Sequence, residues 1–295
     1  MRLHAFELSG PLPELKNPHV LAVLKPWIDV GNAASLALFS LRSHLNAADL
    51  GKIARPGNFF DFTRYRPMLS LKEGRREVSI PNTTVAYAKS EEGHDYLFLH
   101  ILEPHMLAEV YIDSILQLLQ RYDVSRYILV GSMYDMVPFT RPLLVTGYSD
   151  NEGLQNQLEA ADVIPSTYEG PTTIAYLITQ QAQTMGIETL SLIVHLPQYL
   201  LMENDYRGKK RLMEVLCSLY DLPLADEDAD KAQDQHDQVR RIAEQYIQQE
   251  PSYELILRQL EAHYDSRVKR GKEGTKLSPE VERFLQDMGR RFGQN

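Results

Sequence analysis

From His19 onward, apolar runs of strand length alternate with stretches whose apolar residues recur every three or four positions, the pattern of a sheet covered by helices. "HVLAVLKPW" (19–27) predicts a strand and "NAASLALFSLRSHL" (32–45) a helix. "DFTRYRPML" (61–69), "REVSIPN" (76–82) and "TVAYAKS" (84–90) predict shorter strands, the last two joined near Pro81 and Asn82 as a hairpin that forms an antiparallel edge or flap. The main pattern resumes with a strand at "YLFLHIL" (96–102), a helix at "HMLAEVYIDSILQLLQRYD" (105–123) and a strand at "RYILVGS" (126–132), a βαβ unit of ordinary length. A strand at "PLLVTGYS" (142–149), a helix at "NEGLQNQLEAAD" (151–162) and a loop, helix and strand over 168–200 complete a doubly wound layer structure.

After Pro223 the character changes. "LADEDADKAQDQHDQVRRIAEQYIQQ" (224–249) and "SYELILRQLEAHY" (252–264) are helical in period, and a basic linker, "RVKRGKEGTK" (267–276), leads to "SPEVERFLQDMGRRF" (278–292). There Ser278 reads as an N-cap, Pro279 as the first helical residue, and Val281, Phe284, Leu285 and Met288 as an apolar stripe that packs on the domain or on a neighbouring subunit. The organisation expected is an α/β domain over 1–222 and a helical C-terminal extension over 223–295.

Composition narrows the partners. A net charge of -9 argues against nucleic acid or an anionic membrane as the main target, although it leaves room for a local basic patch. The N-terminus lacks the unbroken apolar core of a signal peptide, and Lys25 and Asp29 interrupt the apolar stretch that follows, so a cytoplasmic location is expected. The single cysteine, Cys217, lies in a helical apolar pattern and reads as a buried, inert thiol. The alternating carboxylates of 226–237 have Lys231 where a calcium loop needs glycine, which makes them a solvated helix face. No phosphate-cradling loop, dinucleotide fingerprint, HExxH or nucleophile elbow is present, and no metal site or cofactor is expected.

In open α/β sheets ligands bind beyond the carboxyl ends of the strands. Nine residues fall next to such ends: Asp29, Asn32, Glu103, His105, Asp135, Arg141, Glu169, Thr172 and His195. Together they would offer carboxylates, imidazoles and a guanidinium to a polar ligand. Each also has a purely structural role open to it: Asp29 or Asn32 as a helix N-cap, Glu103 at the positive end of a helix begun by Pro104, and His195 as a satisfied core histidine.

"PWIDVGNAAS", "DFTRYRPML", "ILEPH", "GSMYDMVPFTRPLLVTGYSD", "YEGPTTIAYLI" and "SLIVHLPQYL", in this order over about residues 20–200, resemble the PAC2 family, named for a proteasome assembly chaperone. The resemblance implies a three-layer α/β/α sandwich similar to nucleoside phosphorylase and hydrolase folds, a homo-oligomer, often a trimer, and no established catalysis. It points to a binding or assembly-chaperone-like protein with a protein partner or a small polar ligand. The alternative is an enzyme on a nucleoside-like or other small polar substrate, with Asp135, Glu103 or His195 as acid or base. Two features depart from the family pattern. Thr173 stands where members commonly have glycine, and "RRFGQN" lacks the hydrophobic-tyrosine-any tail of proteasome-docking relatives.

Overall fold

The computed structural model describes residues 1–91, 93–166, 168–222, 229–250 and 252–270. Its first elements are β1 (Arg2–Leu3), β2 (Phe6–Leu8), β3 (His19–Lys25), α1 (Ala33–His44), β4 (Ala48–Ile53), β5 (Met68–Lys72), β6 (Arg75–Ser79) and β7 (Thr84–Ala88). Then come β8 (Tyr96–Leu102), α2 (Ala108–Arg121), β9 (Arg126–Asp135), β10 (Val145–Ser149), α3 (Glu152–Ala160), β11 (Val163–Pro165), α4 (Ile174–Thr184) and β12 (Glu188–Pro197). The C-terminal helices are α5 (Tyr206–Tyr220), α6 (Ala229–Gln249) and α7 (Ser252–Arg270). The protein is thus a mixed α/β fold with helices, a helical C-terminus and a large sheet in the order β1-β2-β4-β7-β8-β3-β9-β12-β10-β11, with β5-β6 apart from it. Among the described residues no helix is long and apolar enough to cross a membrane.

Two compact units share the chain. Unit 1 comprises Met1–Trp27, Leu38–Val130 and Gly170–Leu190. Its centre is β3, parallel to β8 on one side and to the first half of β9 on the other. Six of its seven residues are buried, as a strand covered on both faces requires. In α2, Tyr111, Ile112, Ile115, Leu118 and Leu119 form the buried stripe. The Tyr111 hydroxyl meets Thr83 and donates to the Leu102 carbonyl, 3.0 Å away, so this buried phenol is satisfied.

Unit 2 comprises Ile28–Ala37, Gly131–Glu169 and Ser191–Asn295. Asp205 caps α5 by accepting the Gly208 N–H at 2.7 Å, and α5 buries Leu212, Val215, Leu216 and Cys217. Burial pushes the Cys217 thiol up, in keeping with an inert core role. A further cluster joins Phe139, Tyr199 and Leu200 to Val239 and Ala243 of α6 and Leu260 of α7. At Gly131 a Cβ would lie 2.7 Å from Ile193 Cδ1 and 2.8 Å from the Ile28 carbonyl, so only glycine admits this approach.

Several local expectations change. The hairpin joins β5 to β6, not β6 to β7, because Glu73 and Gly74 both take positive φ (49° and 76°), the two-residue turn that matches strand twist. β7 pairs instead with β4 and β8, and residues 61–65 form turns, so the strand expected there starts only at Met68. α2 begins at Ala108 because the N–H groups of His105 and Met106 donate to the Phe59 carbonyl. β9 runs on to Asp135, and Arg267–Arg270, read as linker, is the last turn of α7. The short strands β1, β2, β4 and β11 carry too little apolar pattern to announce themselves. The stripe of Val281, Phe284, Leu285 and Met288 lies outside the described residues.

Gly131→Ala should destabilise the protein by about 1–3 kcal/mol, the range for overpacking a filled site. A lowered urea midpoint at unchanged slope would show it; an unchanged midpoint would contradict the close approach.

Candidate functional site

In unit 2 the ends of β9, β10 and β12 supply a polar series inside otherwise apolar strands. His195 Nδ1 lies 2.6 Å from Asp135 Oδ2, and His195 Nε2 lies 2.9 Å from Thr146 Oγ1. Arg267, on the last turn of α7, donates to the same Asp135 oxygen at 2.5 Å, while Asp135 Oδ1 accepts the Met136 N–H at 2.7 Å. Burial by itself would raise the Asp135 carboxyl. The hydrogen bonds and charges of His195 and Arg267 outweigh burial and hold it well below the usual carboxylate range. An ionised Asp135 takes its bond from a protonated Nδ1, so Nε2 is the nitrogen that faces the Thr146 hydroxyl. Carboxylate, imidazole and hydroxyl therefore stand in the order that activates a nucleophile. His195 and Thr146 are nonetheless only 5% and 7% exposed.

Arg141 is held by α7 as well. Its guanidinium donates to Glu261 at 3.1 Å and to both carboxylate oxygens of Asp265 at 3.1 and 3.2 Å, and Thr140 also donates to Glu261. Asp29 accepts the Ser35 N–H at 3.0 Å and the Ser35 hydroxyl at 2.5 Å, a capping role in the first turn of α1. The Asn32 amide donates to the Glu203 carbonyl and to Asn204 Oδ1. Glu169 is exposed.

Unit 1 holds a second cluster. Glu103 Oε1 accepts the Ile174 N–H, the first of α4, at 3.2 Å, whereas the preceding Thr173 makes no side-chain cap bond. The carboxylate thus serves the positive end of a helix, but of α4 and not of α2. Among the described residues Glu103 Oε2 is buried without a hydrogen-bond partner, and burial raises this carboxyl against the lowering effect of the Ile174 amide. Tyr65 donates to the Glu103 carbonyl at 3.2 Å and sets its ring edge-on to His105, whose Nδ1 accepts the Asp61 N–H at 3.2 Å. Thr172 is exposed on the loop before α4.

Direct bonds therefore bring together Asp135 and His195, and Tyr65 joins Glu103 to His105. Sequence reasoning missed Thr146, Arg267, Tyr65 and Asp61. Thr146 sits inside an apolar strand and Arg267 inside an apparent linker, where only the three-dimensional neighbours reveal a role; "DFTRY" was visible but had no partner to point to.

Because the Asp135 carboxyl is depressed in the folded state, its pairing stabilises the fold fully above the unfolded-state value near ~4 and is lost as pH falls below that. Asp135→Asn should cost about 3 kcal/mol at neutral pH, as for breaking a largely buried pair. It should also flatten the decline in stability on acidification below about pH 4. Urea midpoints across pH test both; equal acid slopes in the two proteins would rule the linkage out.

The PAC2 family profile matches residues 23–245. No curated protein matches the chain. A Mycobacterium tuberculosis protein of unknown function superposes with a TM-score of 0.72 at 24% identity, covering 98% of each chain. A PAC2 family protein from Streptomyces avermitilis gives a TM-score of 0.70 at 22% identity, covering 79% of this chain and 98% of its own. A proteasome-assembly chaperone homologue from M. tuberculosis gives 0.67 at 23%, covering 75% and 94%. With its profile match spanning most of the sequence and its fold shared with these structures, the chain belongs to the PAC2 family.

Proposed function

We propose that the protein is a homo-oligomeric, assembly-chaperone-like binding protein that works by protein–protein contact. The observation that carries this reading is the β5-β6 hairpin, all ten of whose strand residues are exposed. Cross-strand partners share a face, so the pairings Leu69↔Val78 and Leu71↔Arg76 put Leu69, Leu71 and Val78 together, exposed by 62, 71 and 62%. The opposite face carries Met68 beside Ser70, Ser79 and the Lys72–Glu77 ion pair at 3.4 Å. A two-stranded ribbon alone in water is marginal, and each such apolar side chain gains roughly 1.5–3 kcal/mol on full burial, which favours a covered state.

A second copy of the chain is the occupant that fits. Lys72, Arg75 and Arg76 against Glu73 and Glu77 make the ribbon mixed in sign and slightly basic within a chain of net charge -9, so copies repel least here and can pair opposite charges. Three copies is the number the family resemblance suggests. Likeness to the M. tuberculosis proteasome-assembly chaperone homologue supports a protein as the further partner.

An enzyme acting on a nucleoside-like substrate is the second reading, favoured by the Asp135, His195 and Thr146 series alone. Turnover that vanished in Thr146→Val while the fold persisted would place it first.

Light scattering on a gel-filtration peak at micromolar concentration should give a multiple of the 33.8 kDa chain mass. The Leu69→Glu/Leu71→Glu variant should run at the single-chain mass with unchanged circular dichroism. A monomeric wild type, or a variant of unaltered mass, would overturn the hairpin contact.

A further inference from the structure

Within unit 1, the turn between β1 and β2, the loop after β4 and the start of α2 line an open cavity of about 240 Å³. Its cationic side comes from Arg2 and Arg55, with His4 and Asn58 beside them, and its apolar side from Phe59, Leu107 and Val110. Among the described residues no carboxylate lines it, although the chain as a whole has 40 acidic against 31 basic residues. Among the described residues the side chains of Arg2 and Arg55 have no ion-pair or hydrogen-bond partner, whereas those of Arg42, Arg126, Arg141 and Arg267 each hold a carboxylate.

His4 is already oriented. Ser114 donates its one hydroxyl proton to the Val110 carbonyl at 2.6 Å, so its oxygen accepts from His4 Nδ1, also at 2.6 Å. The proton is thereby placed on Nδ1 and Nε2 is left as the uncommitted ring nitrogen. Two unpaired guanidinium forks, a fixed imidazole and a carboxamide beside an apolar wall form a recognition surface for a negative headgroup carrying a hydrocarbon part.

We propose that this cavity binds a small organic anion, its carboxylate or phosphate held by Arg2 and Arg55 and its hydrocarbon part lying against Phe59, Leu107 and Val110. The volume equals about eight waters at ~30 Å³ each, which suits a group the size of a substituted benzene ring. The site is independent of the β5-β6 hairpin and of the buried His195.

Isothermal titration of the full chain with phenyl phosphate, benzoate, inorganic phosphate and phenol tests the assignment. Phenyl phosphate or benzoate should bind saturably, the tighter of the two identifying the headgroup, and inorganic phosphate and phenol should each bind at least about tenfold more weakly. Arg2→Gln and Arg55→Gln should each weaken the preferred ligand roughly tenfold or more, the loss expected for a charge-assisted hydrogen bond, and Arg55→Lys should recover only part. Both arginines are exposed, so circular dichroism and the oligomer mass should stay as in the wild type. Failure of both organic anions to bind, or an affinity unchanged in the Arg2→Gln/Arg55→Gln double variant, would overturn the proposal.

Discussion

Unit 2 depends on one carboxylate. Asp135 closes β9 in a largely buried position, and a charge there is tolerated only with cationic or hydrogen-bonding partners. Arg267 supplies one from 132 residues further along the chain, His195 the other from β12. The first bond fixes the register of α7. With Arg267 anchored, Glu261 and Asp265 lie at Arg141, Leu260 enters the cluster with Tyr199 and Val239, and Tyr264 packs with Val137 and Leu144. The second bond fixes the tautomer of His195 and turns its other nitrogen to Thr146.

Other residues that look chemical in the sequence also make structural bonds. Asp29 caps the first turn of α1, Arg141 holds α7, and Glu103 lends an oxygen to the amide that begins α4. The last arrangement compensates a local weakness, since Thr173 before α4 makes no side-chain cap bond. At the surface, among the described residues, an apolar ribbon face and a pair of arginines beside an apolar wall stay uncommitted. Those features suit binding better than chemistry in the buried series around His195.

Much of the fold was legible because its long elements carry their period in full. β3, β8 and the stripe of α2 could be read directly, since a strand buried on both faces must be continuously apolar and a helix buried on one must repeat near 3.6. The hairpin was misassigned because Pro81 and Asn82 are a stronger generic turn signal than Glu73-Gly74, and only the positive φ angles at the latter show which turn matches the strand twist. β4 and β11 were illegible for a different reason: their identity lies in the strands they pair with.

By itself the sequence determined the fold class, the polar residues at the strand ends and the kinship to PAC2 proteins, because periodicity and ordered local motifs are properties of neighbours along the chain. The tertiary structure alone decided which of those polar residues meet. Whether Asp135 faces water, a ligand or Arg267 depends on where α7 returns, and whether Leu69 is core or surface depends on what β5 packs against. Both are set by contacts between residues far apart in sequence, whose energies no local pattern encodes.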